Sequence, residues 1–310
     1  MALTKSDIPN LLLPGLKADF AAAYQTELDN STVEAIATII NTTQPIQKYP
    51  WLGSVPSMRE FTDERRTAGL TEYAVSIEDK VFESTIAVDR MAIEDDQLDL
   101  IRLRIRDLAY RVAQHRHQMI VDALVGGFTA NSYDGTAFFG TTHLVNSGTW
   151  SNKTTSALDD TSLAAGINAM MTVPDDQGIP MGVIPDTLVV GPKLQWSASE
   201  LVESPVVPYK GNVDHTAASA PYKNVFQGKL KLVVSPFLTG AADDYWYLLD
   251  TKRPIRGLIL QQRSDVPVEF SALEGGNSEA GFMRDRFLYG VRARYNVGYG
   301  LWQTAYGAIL

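Results

Sequence analysis

One aspartate and one histidine of this 310-residue chain are close enough in sequence, and of suitable types, to support proton-transfer or metal chemistry. Asp134 precedes His143 in a stretch that also holds the pair Phe138-Phe139. A carboxylate that orients an imidazole is the arrangement of a general base in hydrolases and lyases. No further ligand or nucleophile is spaced to complete such a site. A turn followed by a hydrogen-bonded loop histidine is therefore the favoured interpretation, and a hydrolase or lyase is the enzyme alternative.

The other three histidines do not form a second candidate site. His115 and His117 are two positions apart on a predicted helix, so their side chains point in different directions and cannot share a metal ion. We expect His115 to be a packing residue and His215, in a Pro-, Ser- and Ala-rich stretch, to be solvated. The chain has no cysteine, which excludes disulfides, thiolate metal sites and cysteine nucleophiles.

Motif searches give no catalytic or cofactor site. There is no G-x-S-x-G nucleophile elbow, and Gly191-Pro192-Lys193 lacks the upstream glycine and the following hydroxyl of a phosphate-binding loop. Glu94-Asp95-Asp96 could bind a cation, but an acidic helix N-terminus explains it. We therefore predict no catalytic residue, no metal and no cofactor.

Five arginines lie close together on the same predicted helix: Arg102, Arg104, Arg106, Arg111 and Arg116. A DNA-facing patch is one interpretation, and ion pairing with acids such as Asp99 and Asp107 is the favoured one. The chain has a formal net charge of −9 and a pI of about 5.0, which argues against an electrostatic clamp on nucleic acid. A protein of this charge could still enclose DNA without gripping it.

The N-terminal region looks like two short helices on an extended arm. Leu16, Phe20 and Tyr24 recur at four-residue spacing, as one apolar helical stripe does. Residues 31–34, Ser-Thr-Val-Glu, fit a capping box and predict a second helix through Ile36, Ile39 and Ile40. From residue 58 to 90 the apolar period changes to two, which predicts a long hairpin with a polar tip at 62–66.

A long helix is the strongest predicted element. Apolar residues at three- and four-residue steps run over about 96–125, and Gly126-Gly127 ends the pattern. A helix near 160, a strand at 187–190 and a helix carrying Leu194, Ala198 and Leu201 follow, and the last ninety or so residues are rich in strand patterns. No apolar run approaches the roughly twenty residues of a membrane span. The predicted fold class is α+β.

Several motifs, in order along nearly the whole chain, resemble those of the Mu-like phage major head subunit family. They read Tyr-Pro-Trp-Leu-Gly-Ser-Val-Pro-Ser-Met-Arg-Glu at 49–60 and Phe-Glu-Ser-Thr-Ile-Ala-Val-Asp-Arg at 82–90. Further matches are Ile-Glu-Asp-Asp at 93–96, Tyr133-Asp134-Gly135 with Phe138-Phe139 and His143, and Pro-Asp-Thr-Leu-Val-Val-Gly-Pro at 185–192. Each motif alone is weak, and the ordered set is specific.

The resemblance implies a Hong Kong 97-type capsid fold with five regions. Residues 1–55 would form an N-terminal arm that reaches over neighbours, and 56–95 an extended-loop hairpin laid across the adjacent subunit. Residues 96–150 would form a peripheral domain with its spine helix, and 151–245 an axial domain that meets its copies at five- and six-fold centres. Residues 246–310 would return as strands to the peripheral domain.

The implied function is that of the major capsid (head) protein of a tailed bacteriophage, not an enzyme. Copies would assemble through hexamers and pentamers into an icosahedral shell around double-stranded DNA, without sequence-specific binding and without a membrane. The implied location is the virion, after assembly in the host bacterial cytoplasm. Because no long charged helical extension precedes the arm, we expect a separate scaffolding protein or a processed chain, besides a portal and possibly a decoration protein. An encapsulin-like nanocompartment shell is the alternative with the same fold.

Overall fold

The computed structural model describes nine stretches of the chain: residues 8–52, 72–89, 91, 98–145, 148–175, 178–207, 222–264, 268–273 and 283–310. Within them lie four α-helices: α1 Ile8–Asn30, α2 Leu98–Gly126, α3 Asp160–Thr172 and α4 Gln195–Val202. Two mixed five-stranded sheets and three two-stranded ribbons accompany the helices. The α+β fold class is confirmed.

The first sheet carries the long helix. Its strands are β1 Ala37–Thr42, β4 Lys80–Asp89, β13 Leu258–Arg263, β14 Val268–Leu273 and β15 Arg286–Tyr299. The 14-residue β15 pairs antiparallel with β4 along one side and with β13 and β14 along the other, and β1 lies parallel to β13. The strand pattern predicted for this part of the chain is confirmed, and its side chains alternate between two faces, because Phe287, Tyr289 and Val291 are buried whereas Arg292 is exposed.

The second sheet builds the α/β part of the chain. Its strands are β7 Lys153–Thr154, β8 Thr187–Val190, β11 Lys231–Val234, β12 Trp246–Leu249 and β16 Ala305–Ala308. Their order is β11-β8-β12-β16-β7, and all residues of β8, β12 and β16 are buried. Two strands of this sheet, β12 and β16, follow residue 245 in the sequence. The division into five regions stays a prediction.

The ribbons are β2 Ile46–Leu52 with β3 Glu72–Glu78, β5 His143–Val145 with β6 Gly148–Trp150, and β9 Val206–Val207 with β10 Tyr222–Lys223.

The predicted hairpin was wrong in its pairing. β3 pairs with β2, which lies in the expected arm, and β4 joins β15 in the first sheet. The predicted polar tip at 62–66 lies outside the described residues. Alternation alone identifies strands but does not say which partner each one has.

The second predicted arm helix was also wrong. Ser31 Oγ accepts hydrogen bonds from the backbone N–H groups of Val33 and Glu34, at 3.2 and 3.4 Å, which is one half of the predicted capping box, whereas the Glu34 side chain pairs with Arg116. Only one 3₁₀ turn, Glu34–Ile36, follows it, and the chain continues as β1. The β-branched Ile39 and Ile40 favour a strand, and β13 supplies the hydrogen-bonding partner that stabilises it.

Two large apolar cores hold these layers together. Ile101, Ile105, Leu108 and Val112 of α2 pack with α1 and with the buried face of β14 and β15. The C-terminal half of α2 enters a second core that is shared with the second sheet, α3 and α4. The predicted long helix is therefore confirmed, and its one apolar stripe joins both cores.

Candidate functional site

Asp134 and His143 do come together, as the sequence allowed. His143 Nδ1 lies 2.6 Å from Asp134 Oδ2, and its Nε2 lies 3.2 Å from Asn152 Oδ1. The imidazole ring stacks on Trp302 with centroids 4.0 Å apart, and the side chain is fully buried. Both ring nitrogens are therefore engaged inside the protein, and no solvent-accessible nitrogen remains to act on a substrate. This arrangement fits the structural interpretation of the loop.

Asn152 is the centre of this buried network. Its amide nitrogen donates to the carbonyls of Phe138, Trp302 and Ala305, at 2.9, 3.2 and 3.1 Å, and its Oδ1 accepts from the Gly140 N–H at 2.9 Å. One side chain thus joins the loop after α2 to the segment that leads into β16. No sequence pattern had singled out Asn152, because a lone asparagine in a polar stretch carries no spacing signal.

The N-terminal helix meets the long helix at a second buried polar cluster. Arg116 Nε lies 3.0 Å from Glu34 Oε1, and Arg116 Nη1 donates to the Tyr24 hydroxyl at 2.8 Å. The side chains of Arg116 and Glu34 are 4% and 11% exposed, so this ion pair is shielded from water. Burial raises the pKa of Glu34 above its ordinary value, and the Arg116 guanidinium offsets part of that effect.

His117 lies on the same cluster but is not an ionic partner at neutral pH. Its Nε2 is 3.8 Å from Glu34 Oε1. Burial, and then the neighbouring Arg116 guanidinium, lower the pKa of His117 from 6.5 to about 4. The imidazole is therefore neutral at pH 7, and its contact with Glu34 is one of packing.

This lowered pKa predicts acid sensitivity with a definite sign. Between pH 6.5 and about pH 4, His117 is protonated in the unfolded chain but neutral in the folded chain. The free energy of unfolding therefore decreases as the pH falls through this range. The His117→Gln variant is expected to lose less stability than the wild type over that range. Urea unfolding of both proteins at several pH values measures the difference, and parallel stability curves would contradict it.

Two of the exposed arginines have a partner that the sequence did not suggest. Arg102 Nε and Arg106 Nη2 lie 3.6 and 3.4 Å from the carboxylate of Asp19 on α1. The predicted pairing with Asp99 and Asp107 is replaced by this contact, because α1 packs along the flank of α2 that carries Arg102 and Arg106. The periodicity of a helix predicts on which side of the helix a residue lies, but it does not predict which other element packs against that side.

His115 is the packing residue that was expected. Its Nδ1 lies 2.7 Å from the Tyr295 hydroxyl, and its ring lies 4.5 Å from the Phe82 ring, centroid to centroid. Burial lowers the pKa of His115, and the nearby Asp122 carboxylate offsets part of this shift. His115 thus packs α2 against β4 and β15.

The ribbon of β2 and β3 is anchored to the first sheet by a few contacts. Tyr49 and Ile77 pack on Ile259 of β13, and the Tyr49 hydroxyl donates to Gln261 Oε1 at 2.8 Å. Burial, followed by the Asp79 carboxylate, raises the pKa of Tyr49 to about 12, so the hydroxyl keeps its proton at neutral pH. Gln261 is fully buried in β13.

The remaining candidates form no site within the described residues. His215 and the acidic triplet Glu94-Asp95-Asp96 lie outside the described stretches. Lys193 pairs with Asp244 at 2.6 Å on the surface. Across the described parts of the chain, no cluster of three or more ligand-type side chains could hold a metal ion, and no helix is long and apolar enough to cross a membrane.

Comparisons with known proteins agree with the sequence motifs. The family model described as the Mu-like prophage major head subunit gpT matches residues 10–159, 149–238 and 239–309. The Mu-like prophage FluMu major head subunit of Haemophilus influenzae is 25% identical over 308 residues, which are 99% of this chain and 74% of that protein. The major capsid protein of Escherichia phage Mu is 24% identical over 305 residues, 98% of this chain and 74% of that protein.

Solved structures point to the same fold. A chain from the procapsid of bacteriophage JBD30 superposes with a TM-score of 0.54 at 27% sequence identity, over 97% of this chain and 75% of that chain. The architecture is that of the Hong Kong 97-type phage capsid subunits. With a family model that matches almost every residue and a capsid-subunit fold, the chain belongs to the family of Mu-like prophage major head subunits.

Proposed function

We propose that the chain is the shell-forming subunit of a tailed-phage head, and that its copies assemble through hexamers and pentamers into an icosahedral shell around double-stranded DNA. The observation that carries this proposal is the family match across residues 10–309 on a capsid-subunit fold. We propose that the shell assembles in the cytoplasm of the host bacterium and then forms part of the virion.

The ribbon of β2 and β3 supports an assembly role. A two-stranded ribbon is marginally stable by itself, so it needs a surface to lie on. Its base is anchored through Tyr49 and Ile77, whereas Ile46 at its start is 48% exposed. We propose that the part of the predicted region 56–95 that precedes β4 extends this ribbon over an adjacent subunit. We also propose the predicted roles of the other regions, which are an arm at 1–55, a peripheral domain at 96–150, an axial domain at 151–245 and returning strands at 246–310.

The buried Asp134–His143 pair supports a non-enzymatic role. A general base needs a ring nitrogen within reach of a substrate, and both nitrogens of His143 face protein oxygens in a closed site. We therefore propose that the chain has no catalytic activity and that this network holds the core together.

The acidic charge suits a container for DNA. Non-specific DNA affinity comes from Lys and Arg side chains that displace counterions, and this chain has a net charge of −9. Arg102, Arg106 and Arg116 are also paired with carboxylates of the same chain. We propose that DNA slides against the shell without sequence-specific binding. A separate scaffolding protein, a portal and a decoration protein are the further partners that we propose.

The experiment that tests this function is negative-stain microscopy of the expressed full chain, combined with sedimentation. Closed shells, tubes or free hexamers and pentamers are expected. A stable monomer or small dimer under every condition tried would overturn the proposal. Shells that retain enclosed enzymes and never occur in phage particles would favour the nanocompartment alternative.

A matched pair of variants adds specificity to this test. Ile46→Lys places a charge on the exposed side of the ribbon and is expected to reduce shell formation, whereas Ile46→Val keeps the apolar contact. Neither change touches a buried side chain, so both variants should unfold at nearly the wild-type temperature. Equal shell yields from both variants would show that this side of the ribbon covers no neighbour.

A further inference from the structure

Trp196 is the most exposed large apolar side chain within the described residues, at 77%. It lies in the first turn of α4, and Glu200, also exposed, follows one turn later on the same face of the helix. The opposite face of α4 is the buried one, through Ala198 and Val202. Tryptophan is enriched among the residues that dominate the binding energy of protein–protein interfaces. Trp196 therefore indicates a contact that the isolated subunit does not make.

The surface around Trp196 is acidic. Its charged side chains within the described residues are Lys193, Glu200, Glu203, Asp243 and Asp244, with Lys223 near the C-terminal end of α4. Lys193 pairs with Asp244 at 2.6 Å and has Asp243 beside it. No cation pairs with Glu200 among the residues that the structure describes. An exposed indole beside an unpaired carboxylate fits a surface that combines an apolar recess with a cation.

Such a recess lies between β1 and the loop that joins β12 to β13. It has a volume of about 540 Å³, and the exposed Ile39 and Pro254 supply apolar surface to it. Its charged lining residues are Glu34, Lys252, Arg253 and Arg256. Lys252 is exposed, and no carboxylate pairs with it in the part of the chain that the structure describes. The recess thus offers apolar surface beside an available ammonium group.

The other three charged side chains of the recess already have partners. Arg253 Nε lies 3.3 Å from the Asp250 carboxylate. Arg256 donates hydrogen bonds to three main-chain carbonyls. Glu34 is turned to the buried guanidinium of α2 described above. Lys252 is therefore the charged group of this lining that is left for a partner, and a carboxylate is the group that it would bind.

Trp196 and the recess lie at opposite ends of the second sheet. β8 and β12 are antiparallel, so the C-terminal end of β8 lies beside the N-terminal end of β12. α4 follows the C-terminal end of β8 through one 3₁₀ turn, and the loop at 250–256 follows the C-terminal end of β12. The two ends of these four-residue strands are about 10 Å apart. Trp196 and the recess of one subunit therefore face different neighbours.

We infer that Trp196 of one copy docks in the recess beside Lys252 of the next copy, in a head-to-tail contact. The inference rests on the proposed self-assembly and names one surface through which it takes place. The indole ring would pack on Ile39 and Pro254, and Glu200 would pair with Lys252. Because the two surfaces differ, the contact repeats from copy to copy and closes into a ring when the rotation between copies allows it.

A contact between two equal surfaces fits these groups less well. A two-fold pairing of the α4 surfaces would bring Glu200 of each copy near the acidic groups of the other. A two-fold pairing of the recesses would bring the cations together and would leave Trp196 exposed. The head-to-tail contact covers the tryptophan and pairs Glu200 with Lys252.

Charge exchange tests this contact. Glu200→Lys and Lys252→Glu each place like charges across it, so each is expected to weaken the association of copies at least about tenfold. Both changes in one chain should restore association, because the ion pair forms again with its charges reversed. A mixture of the two single variants should also associate, because each presents the charge that the other requires. Sedimentation velocity measures association, and the exposed positions predict unchanged melting temperatures.

Cysteine cross-linking tests the head-to-tail geometry. The chain contains no cysteine, so introduced thiols report only on their own positions. Ser197 is exposed beside Trp196, and Ile39 lines the recess. With a short bismaleimide, Ser197→Cys/Ile39→Cys should form a ladder of linked oligomers on a denaturing gel. Each single variant should remain a monomer on the same gel, because a contact between unlike surfaces brings no two equal positions together.

Several results would overturn the inference. They are a double charge reversal that associates no better than the single ones, a double-cysteine variant without a ladder, and a Trp196→Ala variant that associates as well as the wild type. A linked dimer from Ser197→Cys alone would also do so, because it would place two α4 surfaces against each other. Microscopy of the wild type scores shell assembly separately. Shells without a ladder would overturn the docking alone, and a wild type that stays monomeric would overturn the proposed function as well.

Discussion

The Asn152→Ala variant is expected to lose about 3–5 kcal/mol of unfolding free energy, the cost of leaving several buried polar groups without partners. The carbonyls of Phe138, Trp302 and Ala305 all lose a donor, and the Gly140 N–H loses its acceptor. Water cannot replace these bonds without entering the core beside the stacked His143 and Trp302 rings.

Urea unfolding followed by tryptophan fluorescence measures this loss, because Trp302 itself reports on the site. Asn168→Ala is the matched control, since Asn168 is exposed on α3 and its replacement should change stability by less than about 0.5 kcal/mol. If the two variants were equally stable, the Asn152 network would contribute little to the fold. An insoluble Asn152→Ala chain alongside a soluble control would agree with the prediction.

The second large effect is expected at the junction between α1 and α2. Arg116→Met removes the guanidinium and leaves the buried Glu34 carboxylate and the Tyr24 hydroxyl without their partner. Breaking one side of a buried ion pair costs about 3–5 kcal/mol. Arg104→Met is the control on the same helix, because Arg104 is exposed and has no carboxylate partner among the described residues. Comparable losses in both variants would show that the buried pair contributes nothing special.

The loss in Arg116→Met should depend on pH with a definite sign. Removing the guanidinium removes the influence that lowers the pKa of Glu34, so its pKa rises further above the ordinary value. Above the ordinary glutamate pKa the unfolded chain releases a proton that the folded variant retains, and stability therefore falls as the pH rises. The variant should thus be closer to wild type at pH 5 than at pH 8. Adding Glu34→Gln should restore most of the stability and remove this trend.

Repetition made some elements predictable from the sequence. The apolar steps of α2 continue over many turns, and the alternation of β15 continues over most of its length, so chance matches are improbable. The strand at 187–190 and the helix after it were also recognisable, because Gly191 and Pro192 mark the boundary between them. The family resemblance then supplied the capsid fold, which no periodicity could have given.

Partner choice is what the sequence could not show. Ile36, Ile39 and Ile40 have the spacing of a helix, but residues 37–42 form a strand because β13 lies beside them and pairs with them. Asp19 lies far from Arg102 and Arg106 in sequence, so their contact depends on how α1 packs. Asn152 and Gln261 are single polar residues without a motif, and their roles follow from the groups that surround them.

The position of β1 bears on the order in which the protein is made. Arg256 donates its backbone N–H to Thr38 Oγ1 across 218 positions of the chain, and β1 pairs with β13 next to this contact. Bacterial ribosomes add roughly 5–20 residues per second, so β1 waits on the order of 10–40 s for its partner strand to be synthesised. Until then the first sheet is incomplete, and α1 and α2 have no finished surface to pack on. The unpaired edge of β1 and the uncovered apolar faces of α1 and α2 therefore make the incomplete chain more prone to association than the finished subunit, in which β13, β14 and β15 cover them.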